Sequence, residues 1–307
     1  MDRVSTAYAF RNGAADFLRA QAKQTEASRQ ISDSKKGVDL AGFGRQSEAL
    51  IAAKTVQARA ISFVESHKLL GGRLDAQSLA LDQVADTADE ASQRMLSAVS
   101  SGRADSLMDI LDSLLGQAAS AMNWQHEGRY LFAGAKVGEQ PVAITKLADL
   151  AAAPAVADAF ANDQTRMQSR LNETTTVSSS FLADDLGTEL FEVFRSIQVF
   201  HQTTPLTGTL TEAQTDFLKT KIGEMQQQHE KLLGKGAENG LLQQRVDQVS
   251  DAQARRASSI QIFIADVSEI SLAEASANLV QAELAVEASA AALKALRENS
   301  ILNFLPV

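Results

Sequence analysis

The stretch LVQAELAVEASAAALKAL, residues 279–296, decides the fold, because its apolar side chains recur every three or four residues. The members of this stripe are Leu279, Ala282, Val286, Ala290, Leu293 and Leu296. A similar stripe runs from Val246 to Ile270, and no proline lies between Pro205 and Pro306. The pattern predicts about sixty helical residues without a forced break, roughly 90 Å at about 1.5 Å per residue. A helix that long needs a partner along its length.

The available partner is residues 3–32, which carry the pattern of an amphipathic helix weakened by Gly13 and several serines. Chain termini usually fray, so apolar stripes at both ends favour burial between molecules. The residues predicted to form this assembly interface are Val4, Tyr8, Leu18, Leu279, Val286, Leu293, Leu296, Ile301, Leu302, Phe304 and Leu305.

The interior of the chain predicts further helices, at residues 45–99, 107–127, 189–200 and 212–233. The glycines that follow are predicted to interrupt the helix before the final run; they are Gly234, Gly236 and Gly240.

A segment of different composition, residues 136–180, separates these helices. It contains two prolines and two polar runs that flank Asn172 and Glu173, a pattern typical of a β-hairpin. At about 45 residues it is too short for a core of its own, so we expect it to lean on the helices.

The predicted fold is therefore mainly α: an elongated antiparallel long-helix bundle or coiled coil formed by the N- and C-terminal regions, with a small β-containing central insert. The predicted domains are terminal assembly helices (1–31 and 271–307), a helical rod (32–135 and 185–270) and an outward-facing insert (136–184).

Composition narrows the classes of function. The 307 residues are 45% hydrophobic but only 5% aromatic, which favours thin helical bundles over a thick core with a ligand cavity. A formal charge of −9 argues against a nucleic-acid partner. No window resembles a membrane span or a cleaved secretory signal, so we expect either an intracellular chain or export without a cleaved leader.

No constellation of catalytic, cofactor-binding or metal-binding residues stands out. The chain has no cysteine, and its four histidines are not paired at a spacing that suits a metal. His126 beside Glu127 is the least ordinary, but adjacent helical positions face different ways. Asp184 and Asp185 fit the solvated start of a helix. We therefore expect a chain that is not an enzyme and uses no cofactor.

Three stretches resemble the flagellin superfamily of bacterial flagella, and within it most closely the proteins that join the hook to the filament. They are residues 266–307, with the terminus S-x-L-N-F-L; residues 128–136, GRYLFAGAK; and residues 31–42, ISDSKKGVDLAG, where Ser34 replaces a common glycine. Residues 170–185 are more loosely similar to the central domain of such proteins. The C-terminal positions that carry the likeness are Glu274, Ala275, Gln281, Ala288, Ser289, Ser300, Leu302, Asn303, Phe304 and Leu305.

The resemblance implies a structural subunit whose terminal helices pack into an inner tube and whose insert faces outward. Implied partners are other axial subunits of the flagellum, namely hook-associated proteins and flagellin, and an export chaperone on the C-terminal helix. It also implies an extracellular location reached through the flagellar type III export channel without a cleaved signal, and no membrane insertion.

Two alternatives stay open at this point. The chain could be a filament-forming flagellin, which copy number along the filament would reveal. It could also be an adhesion or binding protein that uses the insert, which ligand binding by residues 136–184 would reveal. The NFL ending, the YLF turn and the small insert favour the junction role.

Overall fold

A computed structural model describes residues 2–37, 43, 44 and 46–298, with side chains from Tyr8 onward. Five residues of the predicted interface therefore fall outside this description: the side chain of Val4, and Ile301, Leu302, Phe304 and Leu305. The mainly α class is confirmed, since long N- and C-terminal helices pack together and the described chain contains only two small sheets.

The described elements are α1 (Asp2–Asp33), α2 (Ser47–Ser101), α3 (Leu107–Met122), β1 (Gln125–His126), β2 (Arg129–Tyr130), α4 (Leu147–Ala152), a 3₁₀ turn (Val156–Ala159), β3 (Gln168–Arg170), β4 (Thr176–Ser178), α5 (Ala183–Thr203), α6 (Glu212–Ser268) and α7 (Leu272–Glu298). The chain divides into two compact units, residues 1–61 with 255–307, and residues 62–254. Helices α2 and α6 contribute to both units.

In the first unit, α1 and α7 pack along each other in antiparallel directions. Gly13, near the start of α1, lies against Leu293 and Leu296 at the end of α7. At the other end, α1 leads into a short extended segment whose residue Lys35 forms an isolated antiparallel bridge with Glu269. In the same unit, Gln57 Nε2 of α2 donates to Gln261 Oε1 of α6 at 2.6 Å.

The prediction of one unbroken final helix is wrong at one place, because α6 ends at Ser268 and α7 begins at Leu272. The backbone N–H of Ile270 donates to the carbonyl of Ser34 at 3.1 Å instead of to a carbonyl one helical turn back. The N–H of Glu274 then donates to Ser271 Oγ at 3.2 Å, which caps the new helix. Ser34 itself has a φ of 53°, in the left-handed region that favours glycine.

The predicted interruption at Gly234, Gly236 and Gly240 is also wrong, since α6 runs through all three. Packing against α2 holds this part of the helix: Asn239 is fully buried and its Nδ2 donates to the carbonyl of Leu74 at 2.8 Å. Each glycine costs about 1 kcal/mol relative to alanine, and tertiary burial offsets it.

A tight hairpin replaces the predicted end of α3. The helix stops at Met122, five residues before the expected boundary, and β1 pairs with β2 in antiparallel register. Glu127 and Gly128 form the two-residue turn, with φ values of 51° and 73°. Two positive φ values are typical of the type I′ turn that joins twisted strands.

The second unit has a continuous apolar core built from α2, α3, α5 and α6. Its largest fully buried side chains include Phe132, Phe191, Phe194, Leu111, Leu114, Leu115, Met122 and Leu150. The region predicted as an insert contributes to the same core through Val142, α4 and the 3₁₀ turn. The buried apolar residues of this region from Val142 to Ala159 therefore share one core with the helices.

Gly187 in α5 is one position where this core leaves no room. A Cβ at Gly187 would lie 2.8 Å from the ring of Phe160 and 2.9 Å from Met122 Sδ. We expect Gly187→Ala to destabilise the second unit by about 1–3 kcal/mol, because the packed ring must shift. Thermal unfolding would measure this loss. Gly223→Ala is the control, since a Cβ there meets no atom within 4 Å and should be neutral or stabilising.

The predicted hairpin around Asn172 is present as β3 and β4. Asn172 Oδ1 accepts hydrogen bonds from the backbone N–H groups of Thr174 and Thr175 at 2.9 and 2.8 Å, which closes the turn. Leu171 is fully buried with Leu70, Leu74 and Val246 of the long helices.

Leu171 is the anchor that fixes this hairpin to the helices. Its carbonyl also accepts a hydrogen bond from Nε2 of the buried His67 at 2.8 Å. We expect Leu171→Ala to cost about 2–5 kcal/mol and to speed hydrogen exchange across β3 and β4. The exposed Thr176→Ala serves as control. Equal exchange rates in the two variants would show that Leu171 does not anchor the hairpin.

Candidate assembly surface

The contact between α1 and α7 is a seam with heptad spacing. Its α7 members are Ala275, Leu279, Ala282, Val286, Ser289, Leu293 and Leu296, and its α1 members are Gly13, Phe17, Ala20, Gln24, Ala27 and Ile31; all are buried or half-buried. Successive members lie three or four residues apart, the spacing of an antiparallel coiled-coil interface. Four of the residues predicted for assembly therefore face a helix of the same chain: Leu279, Val286, Leu293 and Leu296.

The seam differs from the sequence prediction at one step. Ala290, assigned to the stripe, is exposed, and the half-buried Ser289 occupies the seam. A strict alternation of three and four residues requires position 289, whereas the apolar pattern favoured the alanine.

Small side chains make this seam thin. A groove of about 520 Å³ runs between the two helices where Ala27 and Ala282 face each other. The residues that line it are Ala22, Lys23, Glu26, Ala27, Gln30, Asn278, Gln281, Ala282 and Ala285. Because alanine buries little apolar area, the pair of helices gains less free energy per turn than a leucine seam would provide.

Several polar contacts lie at the C-terminal end of α1. Arg29 Nη2 pairs with Glu26 Oε1 at 2.6 Å, and its Nη1 lies 3.4 Å from Asp33 Oδ2. The hydrogen bond from Arg29 lowers the pKa of the exposed Glu26 carboxyl. Lys36 Nζ donates to the carbonyl of Asp266 at 2.9 Å. Arg29 Nη2 also donates to the carbonyl of Lys35 at 3.4 Å, which joins the end of α1 to the segment that follows it.

A second apolar stripe of α7 faces away from the seam. Its members are Ala273, Ala277, Val280, Leu284, Ala288, Ala291 and Ala295, and every one is exposed. At 100° per residue, this stripe lies roughly 160° around the helix from the seam. Val280 is 56% exposed and Leu284 is 60% exposed. Single exposed apolar residues are ordinary, but an uninterrupted stripe about six turns long is typical of a surface that another molecule covers.

Helix α1 adds exposed apolar side chains of its own. Tyr8 and Leu18, both predicted for the interface, are 61% and 63% exposed, and Phe10 is 47% exposed. They do not form one uninterrupted stripe, because Arg11, Arg19 and other polar residues lie among them. The structure thus separates the predicted set into a seam group and an exposed group on α1. Val280 and Leu284 are exposed apolar residues that the sequence prediction did not include, although they belong to a second apolar series offset from the first.

Three of the four histidines form hydrogen bonds with backbone groups, and the fourth lies in a strand. Nε2 of His67 hydrogen-bonds the carbonyl of Leu171 at 2.8 Å, and Nδ1 of His229 hydrogen-bonds the carbonyl of Ala85 at 2.9 Å. The Nδ1 of His201 accepts the N–H of Leu206 at 3.0 Å, and His126 lies in β1. Among the described residues, no group of three histidine or acidic side chains is placed to hold a metal ion. No described helix is long and apolar enough to cross a membrane.

Asp184 and Asp185 lie in the first turn of α5, as the sequence predicted for a helix start. Asp184 Oδ1 accepts a hydrogen bond from Asn162 Nδ2 at 2.8 Å, and Arg166 pairs with Asp185 at 2.6 Å. These contacts join the start of α5 to the segment before β3.

Comparison with known proteins identifies the fold. No model of a known protein family matches the sequence, and no curated protein matches it. Among solved structures, the chain is similar to a putative flagellar hook-associated protein from Vibrio parahaemolyticus, with 15% identity and a TM-score of 0.59 over 73% of this chain and 97% of that one.

Two further solved structures share the fold. FlgL from Xanthomonas campestris is 13% identical with a TM-score of 0.56, and the match covers 70% of this chain and 99% of that one. FlgL from Bacillus cereus is 13% identical with a TM-score of 0.53, covering 70% and 98%. At such identities the likeness establishes a common fold.

Proposed function

We propose that this chain is a structural subunit of the bacterial flagellum that joins the hook to the filament through its terminal helices. The observation that carries the proposal is the uninterrupted apolar stripe from Ala273 to Ala295, which α1 leaves exposed. The sequence motifs at both termini and the fold common to hook-associated proteins support the same role. No catalytic or cofactor-binding role is part of the proposal.

In this proposal, assembly covers the exposed stripe of α7, so that both faces of this helix are buried. Within one chain, the α1–α7 seam consists mostly of buried alanines and of leucines that are only half-buried. When copies associate, Val280 and Leu284 of one chain leave water against a neighbouring chain. Burial of each such side chain contributes about 1.5–3 kcal/mol, so order in the terminal helices increases with association. The terminal segments 1–31 and 271–307 are then the assembly helices of the chain.

Export and its partners belong to the same proposal. A chaperone that binds the C-terminal helix before export would cover the exposed stripe of α7, where sibling copies bind later. The two complexes are then mutually exclusive. The chain passes the flagellar export channel without a cleaved signal, and its site of action is extracellular.

Localisation on intact cells tests the junction role. With a label on the chain, we expect a single point near the base of each filament, and we expect cells that lack the chain to shed unattached flagellin. Label along whole filaments would instead assign the chain as a filament-forming flagellin. Label on the cell surface away from flagella would contradict the flagellar role.

A further inference from the structure

A cleft in the second unit contains Arg73, a half-buried cation that forms no ion pair with a carboxylate in the described part of the chain. The cleft lies between α2 and the hairpin formed by β1 and β2, and its volume is about 260 Å³. It is lined by Ser66, Leu69, Leu70, Arg73, His126, Glu127, Arg129, Tyr130, Leu131, Val137, Met167 and Ser169.

Arg73 is the half-buried group at the centre of the argument. Its Nη2 lies 3.4 Å from the carbonyl oxygen of Leu131, and its Nη1 contacts Met167 Sδ. Burial lowers the pKa of Arg73. Among the residues that the structure describes, none forms an ion pair with this guanidinium. A partly desolvated guanidinium with one long hydrogen bond retains donors for an anion.

The side chains around Arg73 suit a ligand that carries a negative charge next to an apolar group. Arg129 adds a second cation, His126 adds a ring nitrogen, and Glu127 is the single acidic group that lines the cleft. Leu69, which is 65% exposed, forms an apolar rim.

We infer that this cleft binds an acidic side chain of a second copy of this chain during assembly. The chain carries 38 acidic and 29 basic residues, so any copy presents many carboxylates, and the volume suits one or two side chains. Arginine pairs with a carboxylate through two parallel hydrogen bonds, which fixes orientation as well as energy. This inference rests on the proposed assembly of copies and gives the second unit its own part in it.

Arg73→Met tests the inference in the full chain, because methionine retains the apolar stem without the charge. We expect sedimentation at a series of concentrations to show association weakened roughly 10- to 100-fold, with a smaller dependence on sodium chloride. The control is Arg94→Met on the same helix, where Arg94 pairs with Glu90 at 2.8 Å on the surface. That variant should associate like the wild type.

A second cleft variant and a phosphate titration separate the possible outcomes. If Arg73→Met lowers the unfolding temperature, the test uses Arg129→Gln at the exposed rim of the cleft instead. This variant should weaken association to a smaller degree. Unchanged association in a folded cleft variant would overturn the inference. A wild-type chain that never associates would contradict the proposed function as well. A saturable change in fluorescence of the single tryptophan, Trp124, with inorganic phosphate and dependent on Arg73, would assign the cleft to a free anion instead.

Discussion

Leu284→Asp is expected to weaken association between copies by at least about 100-fold while leaving the isolated chain folded. Leu284 lies at the centre of the exposed stripe of α7, so its replacement changes no contact of the seam. The loss combines about 1.5–3 kcal/mol of apolar burial with the cost of placing a carboxylate in an apolar interface. Sedimentation across a concentration series measures the association, and circular dichroism measures the fold.

A pair of neighbouring alanines provides the matched control. Ala291 belongs to the exposed stripe, whereas Ala290 is also exposed but lies about 100° away around the helix. Ala291→Asp should weaken association strongly and Ala290→Asp only slightly, although both add the same charge to the same helix. Equal effects would mean that net charge, and not the stripe, controls association.

Leu293→Asp is expected to separate α1 from α7 without unfolding residues 62–254. Leu293 is half-buried in the seam, and its Cδ2 would lie 3.5 Å from a Cβ at Gly13. A carboxylate there loses apolar burial and is poorly solvated, at a cost of about 2–3 kcal/mol. A seam made largely of alanine has little stability in reserve, so the pair should open.

Limited proteolysis follows this opening directly. Trypsin sites lie in α1 at Arg3, Arg11, Arg19, Lys23 and Arg29, and in α7 at Lys294 and Arg297. In dilute wild-type protein we expect cleavage at these sites before cleavage in residues 62–254, and faster cleavage in Leu293→Asp. Ala290→Asp serves again as control. Termini that resist trypsin in the variant as well as in the wild type would show that the seam does not depend on Leu293.

The long helices could be predicted because their periodicity is local and repeated. The stripe from Leu279 to Leu296 predicted the seam of α7 almost residue by residue. The hairpin around Asn172 could be predicted for a similar reason, since an Asx turn between two polar runs needs only adjacent residues.

The break between α6 and α7 had a local signal that the apolar stripe outweighed. Ser271 and Glu274 have the spacing of a helix N-terminus, and the backbone N–H of Glu274 does bond the serine hydroxyl. The other half of the break lies more than two hundred residues away, in the bridge between Lys35 and Glu269. A pairing so distant in sequence cannot be derived from periodicity.

The continuation of α6 through its three glycines is tertiary in origin. Gly236 and its neighbours stay helical because Asn239 and Leu232 are buried within the second unit, and local helix propensity does not reveal that burial. The early end of α3 depends on the turn at Glu127 and Gly128. For the candidate site, the sequence identified the apolar character of α7 but not which stripe faces its own chain. That assignment requires the position of α1.

Thiol accessibility tests most directly whether copies cover the exposed stripe of α7. The chain has no cysteine, so Ala291→Cys and Ala290→Cys each introduce a single thiol. Both thiols should react rapidly with a maleimide in dilute protein. After assembly, the thiol at position 291 should be protected at least about tenfold more than the thiol at position 290. Equal reactivity of the two thiols in the assembled state would contradict the claim that neighbouring copies bury this stripe.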